Sequence, residues 1–209
     1  MSWSDADRGF MAQAIDLATG RMGETWPNPA VGCVIVKDGR VIAQAATAPG
    51  GRPHAEEQAV PAAGPDVEGA TVYVTLEPCG ARSSGRKSCA HFLTEAGVAR
   101  VVIACLDPSP FAAGRGTERL RAEGLTVETG LMCEEGAALC EGFLHRLEPG
   151  RPLVRVSKDG AGFDGRFVAS PKADLVTELK RLGEAGYTRL WTSAGELADA
   201  LRDQGLLTE

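Results

Sequence analysis

The sequence predicts a layered α/β fold, with helices on both faces of a sheet and a short α/β tail at the C-terminal end. Three observations carry this. Continuous apolar runs such as Val31-Gly32-Cys33-Val34-Ile35-Val36 read as strands buried on both faces. Stretches with apolar residues at helical spacing fall between these runs. Gly, Pro and Asn-rich turn signals separate the two kinds. Strands that alternate with helices in this way stack as helix layers on a sheet.

The elements follow in order. Phe10, Met11, Ala14, Ile15 and Ala18 recur at helical spacing, which predicts an amphipathic helix over residues 4–20. Asn28-Pro29 is a turn. A strand follows over 31–36. Lys37-Asp38-Gly39-Arg40 carries the Asp-Gly hairpin signal, so residues 41–46 return antiparallel to it. Residues 49–53 form a Gly/Pro loop, and 54–63 a helix. Val72, Val74 and Leu76 alternate along a further strand. Residues 89–97 read as a helix ended by Gly97, and 98–106 as a buried strand. A helix over 117–123, a short strand over 125–128 and a helix over 133–146 complete the pattern.

Glu148-Pro149-Gly150-Arg151-Pro152 interrupts the alternation. It divides the chain into a domain of residues 1–148 and a C-terminal segment of residues 149–209. In that segment 153–157 and 189–192 read as strands, and 171–182 and 195–205 as helices. The segment is too short for a robust core of its own, so it is expected to pack on the first domain or on a partner subunit.

Composition limits the function. The chain has 209 residues, 44% hydrophobic and 24% charged, the balance of an ordinary globular protein. No apolar run reaches the roughly 18 residues of a membrane span. Met1-Ser2-Trp3-Ser4-Asp5 lacks the basic-then-apolar pattern of a signal peptide, which points to the cytoplasm. The six cysteines are scattered rather than concentrated, so they do not read as a disulfide framework. Cys33 and Cys105 sit in apolar runs and read as core, as do Cys133 and Cys140 at helical spacing. The net charge is −6. All of that excess lies before residue 150, and the remainder is neutral. An acidic chain without a long basic run is a poor duplex-binding protein, so no nucleic-acid partner is expected. Arg82, Arg86 and Lys87 make one local basic cluster, large enough for a single phosphate.

The chemistry concentrates in His54-Ala55-Glu56, Pro78-Cys79 and Cys89. One imidazole and two thiolates supply three zinc ligands and leave the fourth tetrahedral position to water. Zinc lowers the pKa of such a water towards neutrality. Glu56 is not a ligand; it can take a proton from the water and deliver it to a leaving amine. A His-x-Glu followed by Pro-Cys and a second Cys is the zinc deaminase signature. The alternative is a structural zinc site, which four protein ligands would normally close. His91 follows Cys89 too closely to close it, and His145 ends a distant helix. His54 and Cys89 each stand at a predicted helix start, where the helix field favours thiolate and anion. Such starts at the carboxyl ends of strands converge on one point.

At these residues the chain resembles the cytidine deaminase-like zinc enzymes. Further stretches narrow the resemblance to the deaminase domain of the bifunctional riboflavin-biosynthesis deaminase/reductases. They are residues 28–36, Gly51-Arg52-Pro53-His54-Ala55-Glu56 and Tyr73-Val74-Thr75-Leu76-Glu77-Pro78-Cys79. Asp107-Pro108-Ser109-Pro110, Ala113-Gly114-Arg115-Gly116 and Glu141-Gly142-Phe143-Leu144 continue the series. The long gap between Cys79 and Cys89, with Gly85-Arg86 before the second Cys, suits this family better than a short Cys-x-x-Cys.

The resemblance implies a three-layer α/β/α fold with a mixed central sheet. It implies hydrolytic deamination of 2,5-diamino-6-ribosylamino-4(3H)-pyrimidinone 5′-phosphate with release of ammonia. His54, Cys79 and Cys89 would hold Zn2+, and Glu56 would shuttle protons. Asn28 matches the residue that hydrogen-bonds the base, its alternative being an ordinary turn Asn. Arg86 is the candidate for the ribose phosphate, its alternative being a solvated loop charge. Relatives of this kind form dimers or tetramers, so a homo-oligomer is expected.

The chain departs from the family in three places. The family loop runs Cys-Ser-His-Tyr-Gly-Arg-Thr-Pro-Pro-Cys; here it is one residue longer, lacks the His, and has Lys87-Ser88 for the stiffening Thr-Pro-Pro. Asp-Pro-Asn-Pro has become Asp107-Pro108-Ser109-Pro110. The dinucleotide-dependent reductase is missing; the tail resembles a remnant of it, in residues 154–167, with Phe163-Asp164-Gly165 echoing a family motif, and in late helices over 179–207, the alternative being an unrelated tail. Ser193-Ala194-Gly195-Glu196 stands in place of the family's Glu-Gly-Gly, so no reductase activity is expected. The changed loop keeps two other readings open: a deaminase of another nucleobase or nucleoside, and a zinc-bound protein that binds a metabolite without turning it over. The retained Glu56 argues against the second.

Overall fold

The computed structural model describes residues 3–81, 85–109 and 112–208. Arg82 of the basic cluster, Ser83, Ser84 and Pro110 lie outside them. The first helix, α1 (Asp5–Thr19), starts at Ser4. Ser4 Oγ accepts from the Asp7 amide at 3.0 Å, and Asp7 Oδ2 accepts from the Ser4 amide at 3.2 Å. This reciprocal cap satisfies two otherwise orphaned donors. The apolar stripe Met11, Ala14 and Ala18 is fully buried. It lies so close to the sheet that a Cβ on Gly32 would overlap the Ala14 carbonyl.

Strands β1 (Gly32–Lys37) and β2 (Arg40–Ala46) form the expected hairpin. Asp38 and Gly39 take φ of 50° and 74°, the two positive values that a tight two-residue hairpin turn needs. Strand β3 (Thr71–Leu76) pairs antiparallel with β1. Strands β4 (Arg100–Cys105) and β5 (Thr126–Thr129) add in parallel, giving the order β2-β1-β3-β4-β5. The sheet is mixed, as expected.

Alternate residues of β1 enter different cores. Cys33 and Ile35 pack with Ala55, Ala59 and Ala63 of α2 (Ala55–Ala63), Leu93 of α3 (Cys89–Glu95) and Leu120 of α4 (Arg115–Ala122). Val34 and Val36 pack with Met11 and Ala14 of α1 on the other face. Helix α5 (Cys133–Leu147) runs beside α1. Its Gly136 is so close to the ends of β3 and β4 that a Cβ would come within 3.0 Å of Ala104 Cβ and of the Thr75 carbonyl.

One cysteine departs from expectation. Cys140 is buried, but Cys133 is exposed. It lies one turn before Gly136 and so projects past the end of β4.

The C-terminal segment builds a second, all-parallel sheet of β6 (Leu153–Val156), β7 (Gly165–Arg166) and β8 (Arg189–Thr192), in the order β6-β8-β7. The strand expected over 153–157 is β6, while β7, on the opposite side of β8, was not expected. Helices α6 (Leu175–Glu184) and α7 (Glu196–Asp203) cover it, and Val154, Phe167, Leu175, Leu179, Leu190, Leu201 and Leu206 form its core. This unit docks on α5. Arg155 grips Glu141 with two hydrogen bonds of 2.9 and 2.7 Å. A Cβ on Gly142 would run into the Arg189 side chain.

Candidate active site

Each metal-ligating candidate sits at the end of an element. His54 is the N-cap of α2, and its backbone N–H donates to Glu57 Oε2 at 2.8 Å. Cys79 follows the carboxyl end of β3. Cys89 is the first residue of α3, whose N-cap Ser88 accepts from the His91 amide at 3.3 Å. Strand end and helix starts converge, so that His54 Nδ1 lies 3.3 Å from Cys89 Sγ. The Cys89 amide donates to Cys79 Sγ at 3.3 Å, a bond that favours the thiolate. The three donor atoms lie within 4.8 Å of one another.

These distances suit zinc. A tetrahedral ion with usual bond lengths separates N from S by about 3.6 Å and S from S by about 3.8 Å. No fourth protein ligand joins the group among the described residues. His91 is engaged elsewhere, with Arg119 Nη2 at 2.8 Å and Glu95 at 3.2 Å. Three ligands with one open position is the arrangement of a catalytic rather than a structural zinc site.

Glu56 lies in the first turn of α2 and is 3% exposed. Burial pushes its carboxyl above the ordinary range. It lines a cavity with His54 and Cys79. Asn28, Thr47, Arg52, Glu77, Asp107 and Ser109 also line that cavity. Asn28 therefore reaches the site, as expected. Its Nδ2 donates to the Gly51 carbonyl at 2.9 Å, which leaves Oδ1 as its acceptor for a ligand. Arg86 is exposed, and the described cavity wall does not include it.

Arg52, Thr47 and Glu77 were not foreseen in these roles, whereas Ser109 is the changed residue of a stretch where substrate contacts were expected. Arg52 is an exposed cation on the cavity wall, two residues before the ligand His54; that proximity was the available signal. Thr47 also lines the cavity, and its Oγ1 accepts from the Val31 amide at 3.1 Å. Ser109 Oγ is buried without a hydrogen-bond partner among the described residues. Glu77 is 3% exposed and anchors the loop behind the site. Its Oε1 accepts from Thr117 N at 2.9 Å and its Oε2 from Gly114 N at 3.1 Å. Behind Cys79 the packing leaves no space for side chains: a Cβ on Gly116 would overlap the Pro78 carbonyl, and one on Gly80 would come within 2.8 Å of Arg115. Asp107 is buried and its carboxyl is raised by that burial; its Oδ1 accepts from the Ser109 amide at 2.8 Å.

A mixed five-stranded sheet with a His/Cys/Cys group and a buried Glu at its carboxyl edge defines the class of zinc-binding nucleotide deaminases. Residues 4–105 match the cytidine and deoxycytidylate deaminase zinc-binding region. The riboflavin biosynthesis protein RibD of Escherichia coli is 42% identical over 202 residues, which are 92% of this chain and 54% of that protein. The chloroplastic riboflavin biosynthesis protein PYRD of Arabidopsis thaliana is 42% identical over 149 residues, 71% of this chain and 34% of that protein. The structure of Acinetobacter baumannii RibD superposes with a TM-score of 0.82 at 28% identity, covering 97% of this chain and 84% of that one. The chain is thus similar to the RibD proteins, and its zinc-binding region to that of the cytidine and deoxycytidylate deaminases. It spans about half the length of the curated RibD relatives it matches. Among the described residues no helix is long and apolar enough to cross a membrane.

Proposed function

We propose that this chain is a zinc-dependent hydrolytic deaminase of riboflavin biosynthesis, acting on 2,5-diamino-6-ribosylamino-4(3H)-pyrimidinone 5′-phosphate. The observation that carries the reading is the buried Glu56 carboxylate beside three converging metal ligands in a cavity that also holds Asn28. Similarity to riboflavin biosynthesis proteins RibD and PYRD supplies the substrate class. Scattered cysteines, two of them converging as metal ligands, suit a reducing cytoplasm.

His54, Cys79 and Cys89 would hold the zinc. When bound, the ion would supply an acidified water at neutral pH. Glu56 is the chain's own proton carrier: it would take a proton from the attacking water as the oxygen bonds to the amine-bearing ring carbon, and pass it to the ring nitrogen. The same carboxyl then carries a second proton from the new hydroxyl to the amine. The C–N bond breaks, ammonia leaves, and a ring carbonyl remains. The raised pKa of Glu56 fits a group that must both accept and donate.

Substrate contacts follow from the wall. Asn28 Oδ1 accepts from an N–H of the base. Ser109 Oγ, on the cavity wall, donates to a polar atom of the ligand. Arg52 is the cation on the described wall, and we assign it the ribose phosphate in preference to Arg86. Residues 1–148 form the deaminase domain on this reading, and residues 149–209 a unit with a supporting role.

Ammonia release by the zinc-loaded protein tests the reading. The pyrimidine phosphate, cytidine, cytosine, guanine and adenosine are compared side by side. Turnover of the pyrimidine phosphate alone is expected. Turnover of a different base keeps the mechanism and overturns the substrate; no turnover of any of them overturns the assignment.

A further inference from the structure

The segment 22–28 leads into the site and ends on Asn28. Its N-terminal half is tied by the Met22 and Glu24 amides, which donate to the Thr19 and Arg21 carbonyls at 3.2 and 3.1 Å, and by the Glu24 carbonyl, which accepts from the Gly50 amide at 2.8 Å. At its end the Asn28 amide donates to the Thr25 carbonyl at 3.1 Å, Thr25 Oγ1 donates to the Asn28 carbonyl at 3.1 Å, and Asn28 Nδ2 donates to the Gly51 carbonyl at 2.9 Å. Trp26 and Pro27, between these two sets, are held from the C-terminal unit. The Trp26 indole stacks on Tyr187, with ring centroids 4.3 Å apart and planes inclined by 17°. Gly186 lies under Pro27, where a Cβ would come within 3.0 Å of the proline ring. Gly23 abuts the Phe163 backbone so closely that no side chain fits between them. Arg146 of α5 ties the two together, donating to the Pro27 carbonyl at 3.3 Å and to the Gly183 carbonyl at 3.1 Å.

Tyr187 is itself held. Asp164 Oδ2 accepts from the amides of Thr188 and Arg189 and from Thr188 Oγ1, at 2.5, 2.9 and 2.8 Å. A half-buried carboxylate with three donors fixes the backbone on which the Tyr187 ring is mounted.

We propose that Tyr187 is a positioning residue: through its stack on Trp26 it holds the 22–28 segment in the form that presents Asn28 to the pyrimidine. The C-terminal unit is therefore part of the deaminase, whatever it has lost of another activity. The substrate half of this statement rests on the function proposed above; the restraint on the segment does not.

The experiment uses the zinc-loaded full chain with Tyr187→Ala, Tyr187→Phe and, as a second way of breaking the stack without touching the C-terminal unit, Trp26→Leu. Two quantities are read: hydrogen exchange at the Asn28 and Gly50 amides, and KM and kcat for ammonia release from the pyrimidine phosphate. An aromatic stack of this kind is worth about one order of magnitude. Tyr187→Ala and Trp26→Leu are expected to speed exchange at both amides about tenfold and to raise KM by a similar factor. Zinc content and kcat should hold, and Tyr187→Phe should restore both readings.

Unchanged exchange in both stack-breaking variants overturns the proposal. Faster exchange with unchanged KM also overturns it, because the restraint would not serve substrate. A fall in kcat and zinc content with no rise in KM would mark a general structural role and overturn it too. If the wild-type chain turns over no pyrimidine phosphate, the proposed function fails by itself, and the exchange reading still decides whether Tyr187 restrains the segment.

Discussion

Arg100 Nη1 donates to Asp7 Oδ1 at 2.6 Å across 93 residues of sequence. Tyr73 Oη donates to the same oxygen at 2.7 Å, and Arg100 Nε reaches Glu128 Oε2 at 2.6 Å. One guanidinium thus joins the first turn of α1 to β4 and β5. It does so on the sheet face remote from the zinc ligands, so it bears on stability rather than catalysis.

Replacing Asp7 by Asn is expected to cost about 2 kcal/mol at pH 7, the usual loss for hydrogen bonds to a charged group. Burial raises the Asp7 carboxyl, but Arg100, Ser4 and Tyr73 outweigh it and hold the group well below the ordinary range. Its contribution is therefore complete above the unfolded value of about 4 and is lost as pH falls towards the lower folded value. Urea unfolding of both proteins at pH 7 and at about pH 3 should give a smaller gap at the lower pH. An equal gap would remove the carboxylate from this role.

Metal removal should destabilise the fold. His54, Cys79 and Cys89 come from three separate elements, so an ion that bridges them binds the folded chain and not the unfolded one. At a hundredfold excess over its dissociation constant such a ligand adds about 2.7 kcal/mol. For a chain of this length that is roughly 5–10 °C in Tm. A calorimetric scan after chelation should show the drop, and returning zinc should reverse it. An identical Tm with zinc fully stripped would mean that the three donors do not share one ion.

Glu56→Gln separates chemistry from assembly. The amide keeps the shape of the carboxylate but carries no exchangeable proton for the reaction. Turnover is expected to fall by a factor of about 10² to 10⁴. Zinc content should stay at the wild-type level, because Glu56 is no ligand. Activity that survives the change would assign the proton transfers to another group.

Much of this was legible in the sequence because the signals are local. The Asp-Gly turn, the apolar runs of β1 and β4, and the helix starts at His54 and Cys89 each depend on neighbours a few residues away. The His/Cys/Cys set was legible because ligand chemistry restricts residue type. The Glu77 anchor was not, since its partners Gly114 and Thr117 follow some 40 residues later and are bound through their backbone amides. A backbone amide carries no signature of its partner. The second sheet resisted for a similar reason: β7 is two residues long, too short for any periodicity, and pairs with β8 across a helix. The outward position of Cys133 depends on where β4 ends beneath α5, a tertiary fact.

The phosphate assignment gives the last prediction. Arg86 was the expected cation, yet Arg52 is the one on the described cavity wall. Both side chains are exposed, so neither contact should approach the strength of a buried pair. Arg52→Ala is expected to raise KM for the pyrimidine phosphate about tenfold, and Arg86→Ala to change it less than about threefold. Dephosphorylated substrate supplies the control, because a residue that binds only the phosphate should lose its effect when the phosphate is gone. The Arg52 effect should also shrink with added salt, as an exposed charge contact does. Steady-state kinetics with both substrates at low and high ionic strength measure all of this. If Arg86→Ala carries the larger, phosphate-dependent effect, the phosphate is gripped from the Cys79–Cys89 loop after all, and Arg52 would then be a solvated charge at the rim.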